Sequence, residues 1–476
     1  MVSFLSSIVI LILGYLTYGK FVEKVFGVDE KRPTPAVSIN DGVDFVPLSW
    51  PRIFLIQFLN IAGLGPIFGA VMGALFGPAA FIWIVLGSIF AGAVHDYFSG
   101  MLSIRHDGKS ISEIVGIYLG ENARKIMRVF SVVLLILVGT VFMTGPAQLL
   151  ANLKLAGLSS MSIWLAIIIV YYFLATILPV DKVIGKIYPL FGAALLIMAI
   201  GIGSMLVIKG YNIPEIALTN MHPDGLPIWP MLFVTIACGA ISGFHATQSP
   251  MMARCLPNEK YGRRVFYGAM ISEGIIALIW AAAAMTFFDG GVLGLKAVVA
   301  EGGAGAVVSE ISSSLLGPIG GVLAMLGVIA CPITSGDTAF RSARLVIADA
   351  VGAEQGKTKN RLTLAIPIFA IGFILTRIDF SIIWRYFAWS NQTLAMIVLW
   401  TTAAYLIKSK KLHWIATAPA TFMTAVSITY ILQAPEGFSL PTTISYPVGI
   451  VAAITALILF MKKFGKDNKA LEKANA

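Results

Sequence analysis

Ser242, His245, Thr247, Gln248 and Ser249 crowd one short stretch of an otherwise apolar run. Polar groups set that deep in hydrocarbon face a bundle interior or a water-filled path. His245 has two chemical uses there: its imidazole can receive a substrate carboxylate, or it can titrate near neutral pH. The bland alternative is a neutral ring bonded to a neighbouring backbone carbonyl. Pro250 ends or redirects the helix. Glu273 lies in a separate apolar run, where an unpaired carboxylate is costly. It is a candidate proton carrier, or the partner of a buried lysine or arginine.

Two further constellations offer oxygen and amide groups. Residues 60–73 carry Gly63, Gly65, Pro66, Gly69 and Gly73. Glycines three or four apart favour close helix packing, and proline lacks the N–H that an unbroken helix needs. Gly63–Leu64–Gly65–Pro66 therefore reads either as a structural kink or as an unwound turn whose free N–H groups meet an anion at a helix start. Residues 331–344 read CPITSGDTAFRSAR. Thr334, Ser335, Thr338 and Asp337 supply the hydroxyl and carboxylate oxygens that a hard cation takes; the same residues also fit a gate, or a helix start with Ser335 or Asp337 as N-cap. Arg341 and Arg344 share a helical side and can pair with Asp337, Asp96 or a phosphate head group. His95 and Asp96 sit near the inner end of another run as gate or structural residues. Arg385, Trp389, Ser390, Asn391, Gln392 and Thr393 form a last polar cluster, set to line a pathway or to bond neighbouring helices.

The elements that must hold these groups are membrane helices. The chain has 476 residues, 58% of them hydrophobic and 12% charged, whereas soluble domains average about 25% charged. Apolar runs long enough to cross a bilayer recur from one end to the other. Thirteen are expected, at 3–25, 54–76, 78–98, 127–149, 160–178, 186–208, 229–249, 265–288, 318–334, 362–376, 382–407, 414–432 and 442–461. The first has no Lys or Arg before it and no small-residue cleavage site, so it reads as a retained span. Cys238, Cys255 and Cys331 lack metal-like spacing and read as reduced packing residues. No His-Glu-x-x-His pair, phosphate loop or Gly-x-Ser-x-Gly elbow is present, which argues against an enzyme. No metal or other cofactor is expected.

The net charge of +10 is distributed by topology. With the N-terminus outside, inner stretches hold Arg52, Arg105, Lys109, Arg124, Lys125, Arg254, Arg263, Arg264, Arg341, Arg344, Lys357, Lys408, Lys410 and Lys411; outer ones offer little beyond Lys154, Lys209, Lys296 and Arg377. That bias satisfies the positive-inside rule, sets the C-terminus in the cytoplasm of a multi-pass cell inner (cytoplasmic) membrane protein, and assigns the charge to lipid contact rather than nucleic acid. Stretches 212–229 and 289–318 are expected outside, the second with a helix-like piece at 307–316. Ile111–Leu119 is expected at the inner interface.

The broken runs at 54–76 and 229–249 cross in opposite directions in this map. Taking 54–208 and 229–407 as units gives an all-α polytopic membrane protein whose five-plus-five inverted-repeat core begins each half with a discontinuous helix. The 3–25 span precedes the core and two spans within 414–461 follow it, in a single domain over 1–476.

IAGLGPIFGA at 61–70, FAGAVHDYFSGMLSIRHDGKSISEI at 90–114, SGFHATQSPMMARCL at 242–256, CPITSGDTAFRSAR at 331–344 and RYFAWSNQTLA at 385–395 together resemble the carbon starvation protein A family. The resemblance implies a peptide uptake carrier, with some members similar to proton-coupled pyruvate carriers, and a fold near the amino acid–polyamine–organocation transporters. It implies substrate contacts at Gly63, Gly65 and Pro66 in the first broken helix and at Ser242, Gly243, His245 and Gln248 in the sixth. By analogy with sodium-coupled relatives, it also implies ion-site hydroxyls at Thr334, Ser335 and Thr338. Asn391 joins the expected substrate contacts; Glu273 and Asp337 join the expected coupling groups. The expected partners are short peptides, or small carboxylates such as pyruvate, and membrane lipids, with H+ as coupling ion and Na+ as the alternative.

Overall fold

The computed structural model describes residues 1–42, 44–152, 157–177, 181–353 and 358–474, and every regular element among them is helical. In lipid a helix satisfies its own backbone, which is why long apolar runs without alternation take this form. Among the described residues nine helices are long and apolar enough to cross a membrane, or ten if the bent pair Trp50–Ile61 and Leu64–Phe76 counts as one span. Three of the thirteen expected runs fall outside this count, for physical reasons that differ by run. Met161–Ile177 is short, and the 160–178 run ends beyond the described residues. The 229–249 run is cut by an unwound stretch. Phe380–Lys408 is long but carries Ser390, Asn391, Gln392 and Thr393 in its middle. Lys154 and Lys357 of the charge map lie outside the described residues.

The structure also corrects the loop expected at 289–318. Val292–Ala324 is helical, interrupted at Gly303 and Gly317, whose φ of 67° and 60° belong to the left-handed region that glycine enters readily. Its Val307, Val308, Ile311 and Leu315 are buried. The expected helix start at Ser335 or Asp337 is likewise absent: Met325–Ala330 runs directly into Cys331–Val351, so both residues are helix interior. Ile111–Leu119 forms as a short helix with a capping box between Ser110 and Glu113, and buries Ile111, Ile114 and Val115.

Cys331–Val351 runs along Glu121–Asn152, and Leu64–Gly73 packs on Gly268–Thr286. Gly243–Ala253 is wedged against Ala93–Arg105, Trp50–Ile61 and Phe380–Lys408. The halves of the two broken runs touch at their breaks. A Cβ on Gly65 would stand 2.5 Å from Cys238 Cβ, and one on Gly73 would stand 2.3 Å from the Ile236 side chain. All three cysteines are free thiols.

One end of this bundle is pinned by a buried ion pair. Arg105, closing Ala93–Arg105, donates from Nε to Glu259 Oε1 at 2.5 Å and from Nη2 to Glu259 Oε2 at 2.7 Å. The same Nη2 reaches Gly27 O at 2.9 Å, the guanidinium lies 4.6 Å from the Phe26 ring, and Glu259 is wholly buried. Removing one partner of such a pair strands the other charge at a cost of about 3–5 kcal/mol. Glu259→Ala is therefore expected to lower the thermal unfolding midpoint of the detergent-solubilised protein markedly; an unchanged midpoint would show that the pair contributes nothing.

Candidate functional site

The second break creates the site. Phe233–Thr235 ends as Ile236 turns out of the helix (φ −95°, ψ 72°), and the chain re-enters helix at Gly243 after an extended Ser242 (φ −141°, ψ 124°). Buried backbone groups released by such a break need partners, and neighbouring spans supply them. Gln392 Nε2 donates to Phe233 O at 2.8 Å, Trp83 Nε1 to Ile236 O at 3.0 Å, and Ser88 Oγ to Gly239 O at 3.1 Å. Asn391 Oδ1 accepts from the Phe244 N–H at 2.7 Å and from Ser242 Oγ at 3.1 Å, and its Nδ2 donates to Cys238 Sγ at 3.5 Å. Asn391 thus caps the restarted helix from another span. A Cβ at Gly243 would stand 2.6 Å from Asn391 O, so this junction admits little besides glycine.

One turn into the restarted helix, His245 stands between two carboxylates. Its Nδ1 is 2.8 Å from Asp96 Oδ2, and its Nε2 is 3.4 Å from Glu273 Oε2. Asp96 uses its other oxygen on His95 Nδ1, at 2.7 Å. All four side chains have zero exposure. They come from three elements: Ala93–Arg105 carries His95 and Asp96, Gly243–Ala253 carries His245, and Gly268–Thr286 carries Glu273. Among the described residues no lysine or arginine pairs with Asp96 or Glu273; their ionic partners are the imidazoles. His95 Nε2 and both Glu273 oxygens have no hydrogen-bond partner. Two imidazoles and two carboxylates without a fixed cation can hold a variable number of protons, and buried charge without a partner is expensive. This arrangement suits proton binding and release.

His245 accordingly bonds a carboxylate, not the backbone carbonyl of the bland alternative, and Asp96 pairs with histidine rather than with Arg341 or Arg344. The other expected site residues fall in three places. Gly63 precedes Leu64–Gly73 at the first break, where a Cβ would stand 3.2 Å from the Phe142 ring; Gly65 and Pro66 begin that helix, across from Cys238 and Gly239. Gln248 Nε2 donates to Thr247 Oγ1 at 3.0 Å, and its buried Oε1 has no partner. Ser249 Oγ donates to His245 O at 3.0 Å and accepts from Gln57 Nε2 at 3.3 Å.

Thr334, Ser335, Asp337 and Thr338 lie on Cys331–Val351, apart from the histidine cluster in the bonds they make. Thr334 Oγ1 donates to Cys331 O at 2.7 Å, Thr338 Oγ1 to Thr334 O at 3.1 Å, and Arg341 Nη2 to Asp337 Oδ2 at 3.1 Å. Arg344 follows within the same helix and is buried. Cys331 Sγ, 3.7 Å from Leu59 O, ties this helix to the first broken run. Gln57, Trp83 and Ser88 bond groups of the second broken run, and sequence reasoning passes over them. A lone polar group in an apolar run was the signal at Gln57 and Ser88; Trp83 carries no such signal.

The chain matches a family model described as carbon starvation protein CstA over residues 1–163 and 151–319. An uncharacterized membrane protein of Haemophilus influenzae is 46% identical over 340 residues, covering 61% of this chain and 92% of that protein. The peptide transporter CstA of Escherichia coli is 26% identical over 559 aligned residues, covering 89% and 79%. The pyruvate/proton symporter BtsT of Escherichia coli is 29% identical over 343 residues, covering 58% and 47%. In fold the chain is similar to Mhp1, a nucleobase-cation-symport-1 family transporter in a closed conformation, with a TM-score of 0.52, 13% identity, and coverage of 89% and 96%. The architecture is thus that of an all-α, multi-pass membrane protein with discontinuous helices and an inverted-repeat-like transporter core. Matching its family model over about two thirds of its length, the chain belongs to the carbon starvation protein CstA family.

Proposed function

We propose that this protein is a secondary active carrier that works by alternating access and uses an inward proton gradient to import a small carboxylate-bearing nutrient, with short peptides as the first substrate class. The observation that carries the reading is His245, buried between Asp96 and Glu273 on a segment that restarts at a break. Discontinuous helices are where carriers of this architecture hold substrate and ion. In this reading the N-terminus is outside and the C-terminus cytoplasmic, as the lysine and arginine distribution requires. Gly63, Gly65, Pro66, Ser242, Gly243, Gln248 and Asn391 frame the substrate; His245 and Glu273 couple the proton. Arg341 and Arg344 belong to the inner gate with Asp337.

Pyruvate is the second reading, favoured by the crowding of aromatic rings at the breaks. Phe142 packs 6.1 Å from Phe244 and 6.5 Å from Phe387, centroid to centroid, beside Gly63. A compact anion displaces fewer of these rings than a peptide, whose amine and carboxylate need separate contacts. Sodium is the alternative ion, with Thr334, Ser335, Thr338 and Asp337 as its oxygen donors beside the first broken run. Uptake of labelled di- and tripeptides and of pyruvate into proteoliposomes, under separately imposed proton and sodium gradients, tests all of this. Concentrative peptide uptake under the proton gradient is expected. No accumulation of any substrate by correctly inserted protein would overturn the carrier reading.

A further inference from the structure

The four buried groups are not stacked at one depth. The ion pair between Arg105 and Glu259 gives the two spans a common reference level. Asp96 precedes Arg105 by nine residues, whereas Glu273 adjoins Gly274, whose Cβ would stand 2.5 Å from Ser88 Oγ, eight residues before Asp96 in the same span. Glu273 therefore lies further from the Arg105 end than Asp96. His245 bridges the interval, one ring nitrogen towards each. His95 lies beside Asp96 and holds its second oxygen.

We propose that these side chains form an ordered proton path, loaded at Glu273 and discharged at Asp96, with His245 as the two-sided carrier between them and His95 as the positioning residue for Asp96. This rests on the proton-coupled carrier reading, with the Arg105 end cytoplasmic. The transfer balances. The Glu273 carboxyl gives its proton to His245 Nε2 while Nδ1–H passes to the Asp96 carboxylate, so the ring stays neutral and one proton moves inward. Release from Asp96 to inner water completes the step, and the first tautomer is restored when water in the opened site gives a proton to Nδ1 and takes the one on Nε2, an exchange that moves no net charge.

The titratable groups around the path are few. Ala93–Arg105 contributes His95, Asp96 and, turned towards the Phe26 ring, Tyr97. The second broken run contributes His245 and Cys238, the latter within electrostatic reach of Glu273 and Asp96. Gly268–Thr286 contributes Glu273. Trp50–Ile61 and Phe380–Lys408 present neutral Gln57 and Asn391 on this side. The unpartnered oxygens of Glu273 and the free Nε2 of His95 are what a path needs: groups with room to accept a proton without first losing a bond.

The full chain in proteoliposomes of determined orientation distinguishes this order from a merely structural cluster. A one-to-one proton carrier accumulates substrate about tenfold per pH unit imposed. Glu273→Gln and Asp96→Asn are each expected to reduce that ratio to near unity, with a far smaller loss in substrate counterflow; a structural role would depress both alike. Glu273→Asp is expected to move the external-pH midpoint of uptake, and Asp96→Glu the internal one. If Asp96→Asn does not fold, the Asp96→Glu profile reads the same quantity. Full accumulation by Glu273→Gln, or a shift of the same pH midpoint by both conservative variants, would overturn the path while leaving a proton-coupled carrier in place. A wild-type protein that does not respond to a pH gradient would overturn both.

Discussion

His245→Ala is expected to reduce proton-driven uptake by about two orders of magnitude while the protein still inserts. The imidazole is hydrogen-bonded to Asp96, 2.8 Å away, and its unbonded Nε2 faces the buried Glu273 carboxyl, 3.4 Å away. Without it two carboxylates face a void in a region of zero exposure. Stranding one buried charge costs about 3–5 kcal/mol, and each 1.4 kcal/mol is a factor of about ten in the population of a working state. The protein has one escape, to keep both carboxyls protonated, which preserves the fold but abolishes the proton exchange that drives uptake. Initial rates in proteoliposomes, with monodispersity and thermal midpoint measured on the same preparation, test this. Unchanged kinetics would remove His245 from the centre of the mechanism.

Gly92→Ala is expected to destabilise the protein at the second break. Gly92 ends the π-helical turn Ser88–Gly92, where Ala79–Arg105 crosses the second break. A Cβ there would stand 2.2 Å from the Ala240 carbonyl oxygen, a backbone atom that cannot rotate away. Overpacking of this kind costs about 1–3 kcal/mol and sometimes more. Ala240 also lies next to Gly239, whose carbonyl is held by Ser88, so the strain falls on the unwound stretch. Gly321→Ala is the control: its Cβ would meet nothing within 4 Å, and alanine in a helix interior stabilises by roughly 0.5–1 kcal/mol relative to glycine. The first variant should lose folded yield and thermal midpoint, and the second should not. Equal behaviour would show that the crossing at Gly92 relaxes freely.

Both expectations concern the same junction, and that is where reading the chain as a string is weakest. Gly243 and Ser242 announce an interruption because glycine and polar groups are costly in a continuous membrane helix, whereas Pro250, expected to end or redirect the helix, lies inside Gly243–Ala253. The motif segments at 61–70, 90–114 and 242–256 point to the family, and the family model agrees over the first two thirds of the chain. The partners of the interruption are another matter. The Phe233 carbonyl meets Gln392, the Phe244 N–H meets Asn391, and the Ile236 carbonyl meets Trp83. Each of these pairs joins residues more than a hundred positions apart.

The sequence by itself determined the helical membrane class, that two runs are broken, and the family, because these follow from local properties: run length, hydropathy, and residues that a lipid-buried helix tolerates poorly. It did not determine how many runs are full spans, or that Ser335 and Asp337 lie inside a helix, since both depend on where neighbouring turns continue. Only the tertiary structure brought Asp96, His245 and Glu273 together from three helices. A buried carboxylate costs too much alone, so its presence in an apolar run announces that a partner exists. Which residue that partner is depends on how the helices cross, and at this crossing it is His245.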